Sequence, residues 1–192
     1  WWPHTIGKPN LYRFTVSILD KHQRIEDTRN VTVGLRTVKL VFEEGKTFHF
    51  TVNGLPIFAK GSNLVPINYF LPTGYRNTSL YTKIIDDAVR ANFNIVRVWG
   101  GGHYELDIFY SMCDEAGLMI WQDFMFANTN YPFQDNFLAT VKQEITEVVK
   151  RFKVFFPKRK TPKQFVTFMS GFQYNVVYAD STLGIGLDMY LG

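Results

Sequence analysis

The stretch RVWGGGHYELDIFYSMCDEAGLMIWQDFMFA, residues 97–127, contains the pattern that decides the fold. It begins at the end of a short apolar run, passes three glycines and continues into residues 104–116, whose apolar side chains have helical spacing. Gly117 ends this helix, because glycine readily adopts the left-handed conformation found at helix C-termini. Residues 118–121 follow as a short buried strand. The stretch therefore predicts a strand, a helix and a second strand in succession.

The same alternation extends on both sides of this stretch. Residues 79–92 and 136–152 have apolar side chains at helical spacing, and residues 93–98 form the strand that precedes the glycines. Short apolar strands that alternate with helices favour a parallel sheet of βα units. A complete (β/α)8 barrel needs roughly 250 residues, and the chain has 192. The predicted fold class is therefore α/β, with a partial (β/α)8 barrel of the TIM type.

The N-terminal part of the chain has a different pattern. Residues 11–41 alternate between apolar and polar side chains, which is typical of antiparallel strands, and Asn53-Gly54 is a strong hairpin signal. We interpret this part as the C-terminal end of an immunoglobulin-like β-sandwich, since a full sandwich needs about seven strands. The predicted domains are the sandwich end at 1–43, the N-terminal part of the barrel at 44–152, and a divergent tail with a possible fourth strand at 153–192.

Charge and cysteine content limit the function classes. Residues 150–163 carry seven Lys and Arg side chains and no acid, in a chain whose net charge is +4. This segment could bind nucleic acid, but a solvated basic loop is the favoured interpretation, so we expect no nucleic-acid partner. Cys113 is the single cysteine, which excludes an intrachain disulfide. It lies in an apolar helical pattern that predicts a buried, inert thiol, and we expect neither a metal nor a cofactor.

Membrane and targeting signals are weak. No apolar run approaches the ~18 residues of a membrane span, and WWPHTIGKPN at the N-terminus lacks the pattern of a signal peptide. Two triplets, at Asn30 and Asn77, match the sequon for N-glycosylation and are the candidate modification sites.

The candidate site lies where the predicted barrel strands end, because barrel enzymes bind substrates at the C-terminal ends of their strands. The three glycines are followed by His103 and not by the residues of a phosphate-binding loop. An aromatic ring beside carboxylate and amide groups suits sugar recognition, although Trp99 could equally be a core residue and Asp123 a loop carboxylate. The strand-end rule selects five candidate substrate-binding residues, namely Asn63, Arg97, Trp99, Asp123 and Phe124.

Residues 97–127 closely resemble the β-mannosidases of glycoside hydrolase family 2. WWPHTIGKPNLY, VGLRTVKLV and FTVNGLPIFAKGSNLVP are similar to segments that occur in the same order in that family. The resemblance covers residues 1 to about 152. It implies a lysosomal hydrolase that removes terminal β-linked mannose from oligosaccharides and N-glycan fragments with retention of configuration. It further implies that Trp99 lines the mannose subsite and that Asp123 lies at the same wall.

The chain also departs from the family pattern. The family has a tryptophan where Leu64 stands, an aspartate where Asn68 stands, and an apolar residue in place of His103. These differences alter the expected shape of the site.

The catalytic carboxylates are the larger departure. Retaining hydrolysis requires two carboxylates about 5 Å apart, and the best alignment puts Tyr174 at the position of the acid/base glutamate. No residue matches the nucleophile, and we assign Glu105 to a helix start and Glu115 to a solvated face. We therefore expect a truncated chain that is inactive alone. The alternative is a non-catalytic sugar-binding or interaction protein derived from the same fold.

Overall fold

The computed structural model describes residues 1–43, 47–67, 78–127, 131–132, 134–155, 164–168, 176–179 and 182–186. These residues form a mixed α/β structure of fourteen elements in two compact units, 1–123 and 124–192. The strands of the first unit are β1 (Tyr12–Leu19), β2 (Ile25–Val33), β3 (Val38–Glu43), β4 (Thr47–Val52), β5 (Leu55–Ile57), β6 (Gly61–Leu64), β7 (Ile95–Val98) and β8 (Met119–Gln122). Its helices are α1 (Thr78–Arg90) and α2 (Asp107–Ala116).

The second unit contains one long helix and three short strands. The helix α3 (Asp135–Phe155) packs its apolar face on a small cluster centred on Phe126 and Ile145. The strands are β9 (Gln164–Phe168), β10 (Val176–Ala179) and β11 (Thr182–Gly186), and they form a sheet in the order β10-β11-β9. β9 lies within the predicted tail 153–192 and pairs in parallel with β11 in the described part of the chain; whether it is the fourth barrel strand stays a prediction.

Three parallel strands organise the first unit. β6 pairs with β7, and β7 pairs with β8, in the order that the alternating pattern predicts. Helices α1 and α2 bury Tyr81, Ile85, Phe109 and Cys113 against one face of this sheet, where Val98 and its neighbours complete the core. The α/β character predicted from the sequence is confirmed, the first unit has an open sheet of three parallel strands in its described residues, and the partial barrel stays a prediction.

The other face of the parallel sheet packs on a second core. Ile95 and Met119, near the N-terminal ends of β7 and β8, lie against Trp1, Val52 and Ile57. Val52 and Ile57 belong to the antiparallel sheet β3-β4-β5, in which the predicted Asn53-Gly54 turn joins β4 to β5 with positive φ at both residues. β3 pairs with β4, so residue 43, the predicted domain limit, is the last residue of a strand within this sheet.

The N-terminal strands β1 and β2 form an antiparallel hairpin within residues 11–41, the range for which antiparallel strands are predicted. Nearly all of its side chains are exposed, on both faces. Among the described strands, β1 and β2 pair only with each other. The hairpin therefore contributes little to the cores of the first unit.

Gly117 ends α2 as the sequence predicts. Its φ is 77° and its ψ is 27°, in the left-handed region, and its N–H caps the helix by donating to the Cys113 carbonyl. A Cβ at this position would lie 2.8 Å from the backbone nitrogen of His4, which itself donates to the Gly117 carbonyl at 2.7 Å. The glycine therefore serves both the turn and the close contact with the N-terminal segment.

Gly117→Ala should destabilise the protein more than Gly54→Ala. Gly54 has a φ of 83° but open space around its missing Cβ, so alanine there costs only the left-handed conformation, about 1 kcal/mol. Alanine at position 117 also collides with the His4 backbone, for a total of roughly 3 kcal/mol. Urea unfolding of the two variants measures the difference in the free energy of unfolding. Equal losses would contradict the steric role of Gly117.

Candidate functional site

The parallel register aligns three side chains across one face of the sheet. Asn63 of β6 pairs with Arg97 of β7, and Arg97 pairs with Trp121 of β8. Residues paired in this way project on the same face. The alternate residues Leu64 and Val98 belong to the core beneath the helices, so Asn63, Arg97 and Trp121 lie on the face that is turned away from α1 and α2.

Asp123 follows β8 directly and binds Arg97 through both carboxylate oxygens. Arg97 Nε donates to Asp123 Oδ1 at 3.1 Å, and Arg97 Nη2 lies 2.7 Å from Asp123 Oδ2. The Asp123 side chain is only 6% exposed, and that of Arg97 is 29% exposed. A bidentate pair with this little solvent exposure fixes the two side chains in one geometry.

The same carboxylate also holds the glycine loop. The backbone N–H of Gly100 donates to Asp123 Oδ2 at 3.2 Å, and the backbone N–H of Asp123 donates to the Val98 carbonyl. Both Asp123 oxygens therefore have protein partners. The side chain joins the end of β8 to the start of the glycine loop, and this accounts for its burial.

Asn63 completes the polar row. Its Oδ1 accepts a hydrogen bond from Arg97 Nη1 at 3.4 Å, and its side chain is exposed. The structure thus brings together Asn63, Arg97 and Asp123, three of the five predicted residues. Their role in binding a sugar stays a prediction.

Trp99 lies where β7 passes into the glycine loop. Its backbone N–H donates to the Leu64 carbonyl at 3.1 Å, and its side chain is half-buried. A Cβ built on Gly101 would come within 2.0 Å of the Trp99 ring. The second glycine of the loop is therefore required for the indole to lie against the backbone, which is a reason for the glycines that the sequence did not indicate.

Phe124, the fifth predicted residue, begins the second compact unit. Its half-buried side chain packs against the cluster of Phe126 and Ile145. The structure shows Phe124 in this apolar cluster of its own unit.

Trp121 was missed by sequence reasoning. Its side chain is 40% exposed, and its ring contacts Phe50 and Phe48 with centroid distances of 5.9 and 6.4 Å. The alternation of side chains along β8 was visible in the sequence. Which residue of β7 lies beside Trp121 depends on the register between the two strands. This exposed ring lies on the same face as the polar row.

The assignment of Glu105 to a helix start is wrong. Helix α2 begins at Asp107, and Glu105 lies before it with only 8% exposure. Glu105 accepts a hydrogen bond of 2.5 Å from the Tyr81 hydroxyl, and its backbone N–H donates to the Tyr110 oxygen. Because α1 supplies Tyr81, the contact that buries Glu105 comes from a residue far away in the sequence. Glu115 is exposed, as predicted.

Burial also determines the ionisation of two neighbouring groups. It raises the pKa of the Tyr110 hydroxyl to about 12, and this hydroxyl donates to Gln122 Oε1 at 2.6 Å. Burial likewise raises the pKa of the Cys113 thiol to about 12. Cys113 therefore remains a protonated thiol near neutral pH, and its predicted burial is confirmed.

The remaining candidates have separate locations. Asn30 lies on β2, is exposed, and its Oδ1 accepts a hydrogen bond from the Thr15 hydroxyl at 2.7 Å. Asn77 and Tyr174 lie outside the described residues. Over the described ranges, no three His, Cys, Asp or Glu side chains form a group that could hold a metal ion. No helix there is both long and apolar enough to cross a membrane.

Known proteins similar to this chain include β-mannosidases of mammals and of a bacterium. The β-mannosidase of Capra hircus is 47% identical over 160 residues, and that of Rattus norvegicus is 45% identical over 159 residues. The solved β-D-mannosidase of Dictyoglomus thermophilum superimposes with a TM-score of 0.72 and 41% identity over 81% of this chain. The family model "Glycosyl hydrolases family 2" matches residues 1–36.

The chain is similar to one segment of the β-mannosidases. The resemblance recognised from the sequence is thereby confirmed. The matched region is 80% of this chain but only 18% of each of the two mammalian relatives, and 19% of the bacterial structure. More distant structures, such as an exo-chitosanase from Amycolatopsis orientalis at 21% identity and a TM-score of 0.55, share the fold.

A second family model, "Gliding motility protein GldB", matches residues 113–192. This match is less than half of the chain. It begins within α2 and includes β8, which is paired with β7 in the parallel sheet of the first unit. The match therefore crosses from the first compact unit into the second.

Asp123→Asn should destabilise the protein much more than Asp114→Asn. Asp114 is also paired with an arginine, Arg36, but its side chain is 39% exposed. Asparagine at position 123 leaves Arg97 without its anionic partner. Its side-chain NH2 group also points toward either the Arg97 guanidinium or the Gly100 N–H, and both of these groups are donors themselves. We expect a loss of roughly 3 kcal/mol at position 123 and less than about 1 kcal/mol at position 114.

Urea unfolding at neutral pH compares the two variants directly. Similar free energies of unfolding for both would contradict the role of Asp123 as the residue that joins the loop to the sheet.

Proposed function

We propose that this chain is the N-terminal part of the catalytic barrel of a retaining β-mannosidase, together with the end of the preceding immunoglobulin-like sandwich. The proposed activity is removal of terminal β-linked mannose from oligosaccharides or N-glycan fragments. The identity of 45–47% with mammalian β-mannosidases over 80% of the chain is the observation that carries this proposal. The polar row at the ends of the parallel strands gives it a location.

The proposed domain limits follow from the same resemblance. Residues 1–43 would be the end of the sandwich, residues 44–152 the first part of the (β/α)8 barrel, and residues 153–192 a divergent tail. Three parallel strands with intervening helices support the barrel proposal. The described residues comprise about three of the eight strands that such a barrel needs.

The role of each candidate residue is part of the proposal. Asn63 and Arg97 would hydrogen-bond the hydroxyls of the terminal sugar, and Trp99 would line its subsite. Asp123 would act by holding Arg97 and the glycine loop in position, because its own oxygens already have protein partners. Phe124 stays a candidate by the strand-end rule alone, since its side chain packs in the apolar cluster of the second unit.

The chemistry of bond cleavage requires carboxylates that this part of the chain does not present. A retaining glycosidase needs an acid/base and a nucleophile about 5 Å apart. Of the described carboxylates, Glu105 is buried against Tyr81 and Asp123 is paired with Arg97. Tyr174, aligned with the acid/base position, has no carboxylate. We therefore propose that the isolated chain is inactive.

The isolated chain should not hydrolyse an aryl β-mannoside, whereas a chimera should. In the chimera, residues 1–152 of this chain replace the aligned segment of the Capra hircus enzyme, which then supplies the remaining strands and both carboxylates. We expect the chimera to hydrolyse the substrate at a rate within about tenfold of that of the parent enzyme. A tenfold change corresponds to about 1.4 kcal/mol of activation free energy, and a few altered contacts should cost no more than that.

Chromogenic assays of both purified proteins, with a mock preparation as a control, measure the outcome. Turnover by the isolated chain would contradict its inactivity. A folded chimera that binds a mannoside inhibitor but has no activity would contradict the proposed role of the segment.

A non-catalytic sugar-binding protein is the second candidate. The exposed ring of Trp121 on the same face as Asn63 and Arg97 favours it, because aromatic rings and amides together bind sugars. A titration of the isolated chain with methyl β-mannoside, followed by tryptophan fluorescence, is read together with the hydrolysis assay of the chimera. Saturable binding that Asn63→Ala abolishes, with no turnover by a folded chimera, would support the second candidate.

We also propose passage through the secretory route to the lysosome, as the resemblance implies, with N-glycosylation at Asn30. The Asn30 side chain is exposed on β2, which makes it accessible to a modifying enzyme. When the chain is directed into the secretory route of a mammalian cell, an endoglycosidase should lower its apparent mass. Asn30→Gln should remove one glycan, and Asn10→Gln, which is outside any sequon, should remove none. An unchanged mass in the Asn30 variant would contradict modification at this position.

A further inference from the structure

The glycine loop leaves β7 at Trp99 and reaches α2 at Asp107. Its start is held by both neighbouring strands. The Trp99 N–H donates to the carbonyl of Leu64, the last residue of β6, at 3.1 Å, and the Gly100 N–H donates to Asp123 Oδ2 at 3.2 Å. A loop that is held at one end can still move about that end. The position of this loop therefore also depends on how its far end is held.

Glu105 lies at the far end of the loop and connects it to β8. Its backbone N–H donates to the Tyr110 hydroxyl oxygen at 3.2 Å, and that hydroxyl donates to Gln122 Oε1 at 2.6 Å. Gln122 Nε2 donates in turn to the backbone carbonyl of Asp123 at 2.9 Å. The far end is thus joined through two side chains to the residue whose carboxylate holds the near end at Gly100.

The Tyr110 hydroxyl is suited to the middle of this connection. A phenol has one proton to donate and lone pairs that accept. Burial raises the pKa of Tyr110 to about 12, so the oxygen keeps its proton at neutral pH. The ring makes an edge-to-face contact with Phe109, at 5.4 Å between centroids, and Phe109 is only 1% exposed. The core of the first unit therefore supports the side chain that holds the loop.

The Glu105 side chain adds a contact with α1. Its Oε2 accepts a hydrogen bond of 2.5 Å from the hydroxyl of Tyr81, which is itself buried. A buried carboxylate requires such partners because its removal from water is costly. The far end of the loop is therefore joined by its side chain to α1 and by its backbone to α2.

We propose that Tyr110 and Gln122 are positioning residues of the candidate site, which hold the far end of the glycine loop against the end of β8 and thereby fix the position of Trp99. Neither residue touches the sugar, since both act through the loop and Asp123. The inference rests on the proposed function where it makes Trp99 part of the mannose subsite. A displacement of about 1 Å in a substrate-positioning group can cost about a hundredfold in rate.

Tyr110→Phe tests the connection in the full chain, because it removes the hydroxyl and keeps the ring. Amide hydrogen exchange measured by NMR should become at least about fivefold faster at Glu105 and Gly100, relative to the exchange at Leu118. The Leu118 N–H donates to the Cys113 carbonyl and is the reference for general loss of stability. A purely local role of the hydroxyl would change Glu105 and leave Gly100 as it was.

Gln122→Met removes the other half of the connection. It should accelerate Gly100 exchange to a similar extent, and the double variant with Tyr110→Phe should exchange no faster than either single variant. The reason is that one break already separates the far end of the loop from β8, so the two effects do not add.

Tyr131→Phe is the matched control. The Tyr131 hydroxyl also accepts a hydrogen bond from a backbone N–H, that of Ala127 at 2.8 Å, but it belongs to the second unit. This variant should leave Gly100 exchange unchanged.

The chimera with the Capra hircus enzyme tests the consequence for the reaction. Tyr110→Phe should lower its kcat/KM for an aryl β-mannoside at least about tenfold. Tyr12→Phe, which removes a hydroxyl from an exposed position of β1, should leave kcat/KM unchanged.

Three results would overturn the inference. The first is Gly100 exchange that Tyr110→Phe and Tyr131→Phe change equally. The second is a double variant in which the effects of Tyr110→Phe and Gln122→Met simply add. The third is an active chimera whose kcat/KM is unchanged by Tyr110→Phe. A folded chimera that is inactive before any substitution contradicts the proposed function instead, and the exchange measurements still decide whether Tyr110 and Gln122 hold the loop.

Discussion

The ion pair between Arg97 and Asp123 is the interaction on which the end of the parallel sheet depends. It joins the middle strand β7 to the residue that follows β8, and through Gly100 it also holds the loop that leaves β7. A buried carboxylate is costly unless it is paired with an opposite charge and hydrogen-bonded. Here two guanidinium nitrogens and one backbone N–H meet that requirement. Asp123 therefore sets the geometry of the candidate site by holding Arg97 and the glycine loop in place.

The two cores of the first unit determine what remains exposed. Helices α1 and α2 cover one face of the parallel sheet. Trp1 and strands β4 and β5 cover the part of the other face near the N-terminal ends of β7 and β8. Trp1 is held by several contacts: its indole N–H donates to the Asp114 carbonyl at 2.7 Å, and the Arg36 guanidinium lies 4.2 Å from the centre of its ring. These contacts connect the N-terminal residues to helix α2. The part of this face near the C-terminal ends of the strands carries Asn63, Arg97 and Trp121, of which Asn63 and Trp121 are exposed.

Much of the fold could be predicted because its signals are local. Helical spacing identified the three helices of the described residues, Gly117 marked the end of α2, and Asn53-Gly54 marked the turn between β4 and β5. Glu105 shows where local reasoning fails, since the helical pattern placed it at a helix start and gave no sign of its burial. Its burial depends on Tyr81, which lies on another helix. The strands β10 and β11 were also not predicted, because their short segments have no clear periodicity.

The sequence by itself determined the order of strands and helices from α1 to α3, the position of the glycine loop and the kinship with the β-mannosidases. Those properties depend on periodicity, turn residues and motifs, which neighbouring residues encode. Only the tertiary structure decided that Asp123 is fully engaged by Arg97 and Gly100, that Trp99 needs Gly101, and that Trp121 shares a face with Arg97. Such facts depend on strand register and burial. Both arise from packing between residues that are distant in the chain, where one change of register would move every side chain of a strand to the opposite face.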